Sequence, residues 1–303
     1  MKTLIILPEA AGVRECAFVR RGNLVNRIIL LSAVALAFVF AAGAQTVGKS
    51  DAKPVPFSDG VAAPSRPMPF TDGEVLAYEG KISKIIKGIA IADLIFTVSR
   101  QGPNGDYKVK ADANSKGTLL KMFRYSFSQQ IDSTIDGTEL RSKKTVKRDV
   151  QRDRIRESEA VFNYKERSVT YTEIDPKEPM RPPRKIASEI GPDTLDMVAG
   201  LYTLRTLPLA VGKVFEMEIS DSGLFYKIPV RVTAREQQKT VVGNVWCFRV
   251  EPNVFGEGMP IEKEGSMIIW ITDDARRLPV RSQVNSPIGR VEIKLKSAKN
   301  LKT

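Results

Sequence analysis

Histidine is missing from all 303 residues of this chain. Its absence removes Ser-His-Asp and Cys-His nucleophilic catalysis, imidazole proton shuttling and histidine-ligated zinc. Cysteine is scarce as well, limited to Cys16 and Cys247. Cys16 precedes an export-type segment, so removal of that segment leaves Cys247 alone. An intramolecular disulfide and a two-thiolate metal site are then excluded. Cys247 falls in the alternating run Val245-Trp246-Cys247-Phe248-Arg249-Val250, where a free thiol behaves as a small buried hydrophobe. Acidic residues are outnumbered, 35 Asp and Glu against 47 Lys and Arg, for a formal net charge of +12. Carboxylates, Lys, Tyr and Ser are what is left for chemistry. No cofactor or metal is expected.

The longest apolar run, Ile28 to Phe40 (IILLSAVALAFVF), falls short of the roughly 20 residues that span a membrane. Arg20, Arg21 and Arg27 precede it, and Ala42-Gly43-Ala44 follows with small residues at −3 and −1. This is the order of a secretory signal, with cleavage after Ala44 and Gln45 as the new N-terminus. Residues 1–44 are therefore expected to be a leader and the protein to be periplasmic or secreted. Met1 to Asn23 is more than a compact signal needs. It reads as an over-extended start, with translation beginning near Leu24 or Val25; a long n-region and an uncleaved anchor are the alternatives. No Cys follows the run closely, so lipoprotein-type acylation is not supported.

Residues 45–69 carry Pro54, Pro56, Pro64, Pro67 and Pro69 without an apolar period, which predicts a flexible tether. From Phe70 onward the pattern is β. Glu74–Ser83, Ile89–Arg100 and Asp106–Ala113 alternate, and Met122–Ile131 sets Phe123, Tyr125 and Phe127 on one face at period 2. Asp136-Gly137 predicts a tight hairpin turn. The charged pair Leu140–Val150 and Arg154–Tyr164 and the short strand Ser168–Thr172 follow. Asp175–Pro192, with five prolines, predicts a surface loop or crossing connection. One convincing helix is expected near 193–206, N-capped by Asp193, with Leu195, Val198, Leu201, Tyr202 and Leu204 as its apolar face. Strands resume at Lys213–Ser220, Leu224–Arg235, Asn244–Glu251, Gly265–Ile271, Arg277–Gln283 and Gly289–Lys296. The expected fold is all-β and mainly antiparallel. It is a large curved sheet closed or nearly closed into a barrel, with that one helix covering it, as a single domain over 70–303.

The acidic pairs Asp72/Glu74, Asp193/Asp196 and Asp273/Asp274 invite a glycosidase reading, which needs two carboxyl groups across a sugar. Helix-start and turn roles explain the latter two pairs better. The basic stretch Arg141–Arg148 with Arg152, Arg154 and Arg156 faces nearby Asp and Glu and predicts cross-strand ion pairs.

Three segments resemble an exported bacterial family labelled domain of unknown function 3108. They are Phe70-Thr71-Asp72-Gly73-Glu74-Val75-Leu76-Ala77-Tyr78 with Lys87-Gly88-Ile89-Ala90, Asp193 with Leu201-Tyr202-Thr203-Leu204-Arg205, and Ile269 through Val280 (IWITDDARRLPV). The resemblance covers about Phe70 to Leu295. It implies a mainly antiparallel envelope protein with no assigned activity, and it supplies no catalytic residues.

The leading expectation is non-enzymatic binding of an apolar or amphipathic envelope molecule, a lipid or a lipoprotein acyl chain. Phe123, Tyr125, Phe127, Trp246 and Trp270 are the candidate cavity residues, with Arg205, Arg276 and Arg277 for an anionic headgroup. The basic balance also fits an anionic envelope surface. Nucleic acid is not an expected partner. The alternatives are a structural or protein-interaction module of the envelope and a carboxylate-based glycan hydrolase.

Overall fold

The computed structural model describes residues 68–83, 88–102, 105–287 and 289–302. The expected leader, and the tether up to residue 67, lie outside the described residues. Fifteen strands form one sheet. The first eight are β1 Val75–Ser83, β2 Ile89–Gln101, β3 Asp106–Ser115, β4 Phe127–Ile135, β5 Ser142–Gln151, β6 Arg154–Asn163, β7 Ser168–Ile174 and β8 Arg184–Glu189. The remainder are β9 Leu195–Asp196, β10 Val214–Asp221, β11 Leu224–Thr240, β12 Gly243–Pro252, β13 Ser266–Thr272, β14 Pro279–Ser286 and β15 Gly289–Lys299. Two helices interrupt them, α1 Gly117–Phe123 and α2 Met197–Thr206.

The strand order runs β8 to β1, then β15 down to β9. Every pairing is antiparallel except the short β9–β10 bridge. The first and last long strands, β1 and β15, thus pair in the middle of the sheet. Alternation drives the curl: Leu76, Tyr78, Gly80 and Ile82 on β1 and Val291, Ile293 and Leu295 on β15 are buried, and the residues between them are not. Register shifts in β1, β4–β5, β11–β12 and β13–β14 sharpen the bend.

Among the described residues no hydrogen-bonded ladder joins the end strands β8 and β9, so the sheet is nearly closed rather than closed. The seam is filled by side chains instead. The β10–β11 turn packs on β7 and β8, where Gly223 (φ +81°) leaves no room for a Cβ, which would sit 2.7 Å from that of Tyr171. Ser188 Oγ donates to the Gly223 carbonyl at 2.6 Å. Phe162, Val169 and Ile190 form a small apolar cluster with Phe225 behind it.

Helix α2 lies inside the curl and touches β3 and β4 on one side and β9 and β10 on the other. It is buried nearly all round, as an interior helix must be. Four local expectations are corrected. Asp193 is exposed and faces Arg141, while Asp196 caps the helix with bonds from the Val198 and Ala199 amides. A second helix, α1, takes Met122 and Phe123, and Arg124 (φ 48°) ends it. The tight turn at Asp136-Gly137 is a longer connection running to Arg141, held by Asp136 accepting the Thr138 and Glu139 amides. The supposed loop Asp175–Pro192 contains strand β8, because no proline falls between Pro183 and Pro192 and alternation resumes there.

Candidate functional site

The eight residues singled out from the sequence do not meet in one cleft. Phe123 ends α1, half-buried, and Tyr125 and Phe127 are buried near β4 with their rings 6.3 Å apart. Phe123 therefore leaves the period-2 face on which it was placed. Trp270 is buried on β13, where its Nε1 donates to Glu236 and the Arg281 guanidinium stacks 4.4 Å from its ring. Trp246 is 45% exposed and carries the Arg235 guanidinium at 4.5 Å.

The three arginines do converge, but on the protein's own groups. Arg205 extends from the last turn of α2 into a site with no solvent exposure and meets Glu74 in a two-pronged pair, Nη1–Oε1 2.6 Å and Nη2–Oε2 2.9 Å. Its remaining donors reach the carbonyls of Pro69, Arg276 and Arg277 at 3.0–3.1 Å. The ring centres of Phe70 and Tyr202 lie 5.4 and 5.1 Å from the guanidinium. Burial lowers the Arg205 pKa, yet the bonds and charge of Glu74 outweigh it and hold Arg205 above its usual value. The side chains of Arg276 and Arg277 turn outward to Asp274 and Asp273.

The acidic pairs serve the same kind of role. Asp72 accepts from the Arg100 amide, Asp273 pairs with Arg235 and Arg277, and Asp274 caps its own turn. The Asp274 pKa is lowered although burial opposes it, through bonds from Arg276 and Thr272. The Cys247 thiol is buried and pushed up to about 12, first by burial and then by Asp274, Glu236 and Asp273. The charged β5–β6 hairpin pairs across strands as its sequence foretells, Lys144 with Glu159 and Arg148 with Glu157.

What is open beside α2 is a narrow apolar cleft of about 50 Å³. The helix contributes Met197, Gly200, Leu201 and Leu204 to one wall, and β10, β11 and β13 contribute Met217, Ile219, Ile228, Val230, Met267 and Ile269 to the other. Gly200 sets the spacing, since a Cβ there would come within 2.7 Å of Ile219 Cδ1. The three methionines are the adaptable part of the wall, unbranched and able to repack. None of them was singled out from the sequence. A Met at period 2 or 3.6 looks like ordinary core until the partner wall is known. No group of His, Cys, Asp or Glu able to hold a metal occurs among the described residues, and no described helix is long and apolar enough to cross a membrane.

Comparison with known proteins agrees with this architecture. The family model described as protein of unknown function DUF3108 matches residues 78–296, and the chain belongs to that family. No curated protein matches it. A crystal structure of a β-barrel-like protein of domain of unknown function DUF1849 from Brucella abortus is similar, with a TM-score of 0.51 at 11% identity, covering 75% of this chain and 97% of that one. That likeness concerns the fold alone. A structure with a YmcC-like fold from Bacteroides fragilis aligns with a TM-score of 0.34 at 11% identity, over 77% of this chain and 98% of the other.

Proposed function

We propose that this member of the DUF3108 family is a non-enzymatic cell-envelope protein that binds an apolar or amphipathic molecule, a lipid or a lipoprotein acyl chain. One observation carries the reading: the cleft along α2 is lined by apolar side chains and opens outward. Hydrophobic walls with few polar groups suit an alkyl chain. At about 50 Å³ the cleft admits a chain only as Met197, Met217 and Met267 swing aside. The export-type segment ending at Ala44 supports an envelope address, and N-terminal sequencing of the secreted protein should begin at Gln45.

The test is native mass spectrometry of protein taken from its own envelope without detergent, followed by solvent extraction and titration with a fluorescent octadecenoic acid. The expected result is a lipid-mass adduct lost on extraction, with probe uptake afterwards. Met217→Lys, which sets a charge at the half-buried rim, should abolish uptake without unfolding. An apo mass with no uptake would overturn the reading. The alternative would then be an interaction module docking through β8, which has a strand on one side only.

A further inference from the structure

A recess larger than the cleft along α2 lies on the outer face of the sheet. Strand β11 is 17 residues long, and β12 pairs with β13 only through Cys247–Val250. The β11–β12 hairpin beyond that pairing, with its turn at Val241–Val242, forms an arm. Its root is held down by the Trp270–Glu236 bond and by Arg281 Nη1 donating to Gln238 at 3.1 Å. Between the arm and the outward rows of β1, β14 and β15 is a groove of about 390 Å³, within the size range of small-molecule sites.

Five cations line it: Lys81, Lys239, Arg281, Lys294 and Lys296. Only two carboxylates, Glu79 and Glu292, answer them. Glu292 is shared by Arg281 at 2.5 Å and Lys294 at 3.0 Å. Glu79 is drawn on by Lys81 and by Lys116 from beside the groove, so it reaches Lys296 only at 3.9 Å. Lys239 makes no ion pair among the described residues. Arg281 Nε is buried without a partner among the described residues, although the rest of its guanidinium is engaged. Cations in excess of carboxylates in a walled recess are a place where an anion displaces water and binds more strongly than on an open face.

We propose that this groove is a binding site for a phosphate-bearing ligand carrying two or more negative charges. Phosphate fits because four ammonium groups and one guanidinium converge on two shared carboxylates, which leaves Lys239 and Arg281 Nε without an acceptor among the described residues. The site stands independently of what occupies the cleft along α2. The same chemistry can come from a free phosphomonoester or from a lipid headgroup, and the experiment separates them.

The protein is titrated calorimetrically with glycerol 3-phosphate, and in parallel sedimented with phosphatidylcholine vesicles with and without cardiolipin. Lys239→Glu/Lys296→Glu changes two exposed groove residues. Arg184→Glu/Lys185→Glu makes the same charge change on exposed β8. The expected result is salt-sensitive binding in at least one arm, weakened about tenfold or more by the groove variant and little by the β8 variant. Binding of glycerol 3-phosphate would mark a free phosphomonoester, and binding confined to cardiolipin vesicles a headgroup. No binding in either arm would overturn the proposal. So would binding that both variants weaken equally, since that reports net charge rather than the groove. Circular dichroism of the variants confirms that they fold.

Discussion

The two ends of α2 are both buried and both charged, yet they are satisfied in opposite ways. At the C-terminal end a cation, Arg205, is matched by an anion, Glu74, and by three backbone carbonyls. At the N-terminal end the anion Asp196 pairs with no cation among the described residues. Its carboxylate accepts from the Ser133 and Ser142 hydroxyls at 2.6 and 2.8 Å and from the Val198 and Ala199 amides at 2.8 and 3.0 Å. Ser142 Oγ also accepts the Asp196 amide, and Tyr164 Oη lies within 2.9 Å of the Ser142 and Thr194 carbonyls, donating its proton to one at a time. One end is an ion pair, the other a carboxylate held by neutral donors and the positive end of the helix dipole. Between them they tie α2 to β4, β5, the β13–β14 turn and the segment just ahead of β1. The helix cannot slide along the curl without breaking one or the other.

The largest expected effect follows from taking one partner from the ion pair. Arg205→Met leaves Glu74 charged and buried, and urea unfolding should show a loss of about 3–5 kcal/mol. The double variant Arg205→Met/Glu74→Met should recover most of it, because a well-packed apolar pair replaces a fully desolvated ionic one. If the double variant is as unstable as the single, the pair itself holds the fold. At the other end, Asp196→Ala strips the cap and orphans two hydroxyls, for about 2–4 kcal/mol, and Asp196→Asn should lose less than Asp196→Ala. Equal losses for Asn and Ala would mean that charge, not bond count, matters there.

Gly200→Ala probes the middle of the same helix. The added methyl meets Ile219 and should lower stability by about 1–2 kcal/mol while narrowing the cleft. The smallest effect concerns a third buried carboxylate, Asp149, which has only in part what the two ends have in full. Its Oδ2 accepts from Gln151 at 2.9 Å, but its Oδ1 has no partner among the described residues. Burial raises its pKa, against the pull of Lys147 and Arg154. The folded state therefore holds this proton more tightly than the unfolded chain, and stability falls as pH climbs from the ordinary carboxylate range through the raised value. Asp149→Asn removes that dependence. Thermal melts should show it more stable than the parent by about 1 kcal/mol at pH 7 and equal to it near pH 3.

Much of this fold was legible in the sequence because period-2 alternation is a local property. β2, β3, β12 and β15 fall close to where their patterns put them, and α2 stands out against a β background. α1 was not legible, because it is short, has no side-chain cap, and ends in Phe123, which also fits the alternation of the strand beyond it. β8 was masked by the prolines ahead of it. The candidate site fared worse. Aromatics mark burial, and Tyr125, Phe127 and Trp270 are buried, but burial does not say what they cover. Lys294 and Lys296 alternate visibly on β15, but their groove exists only because the β11–β12 arm lies across them.

By itself, then, the sequence determined the class of structure, through alternation, turn residues and one helical apolar period, and it excluded histidine chemistry by composition. Tertiary structure decided which charges are available. Arg205 and Lys239 are equally cationic in the sequence. One is neutralised by a glutamate 131 positions earlier in the chain, and the other stands exposed over a groove. Electrostatic partnership depends on distances of a few ångströms. In an antiparallel sheet whose first and last long strands meet, those distances are set by pairings that no local pattern encodes.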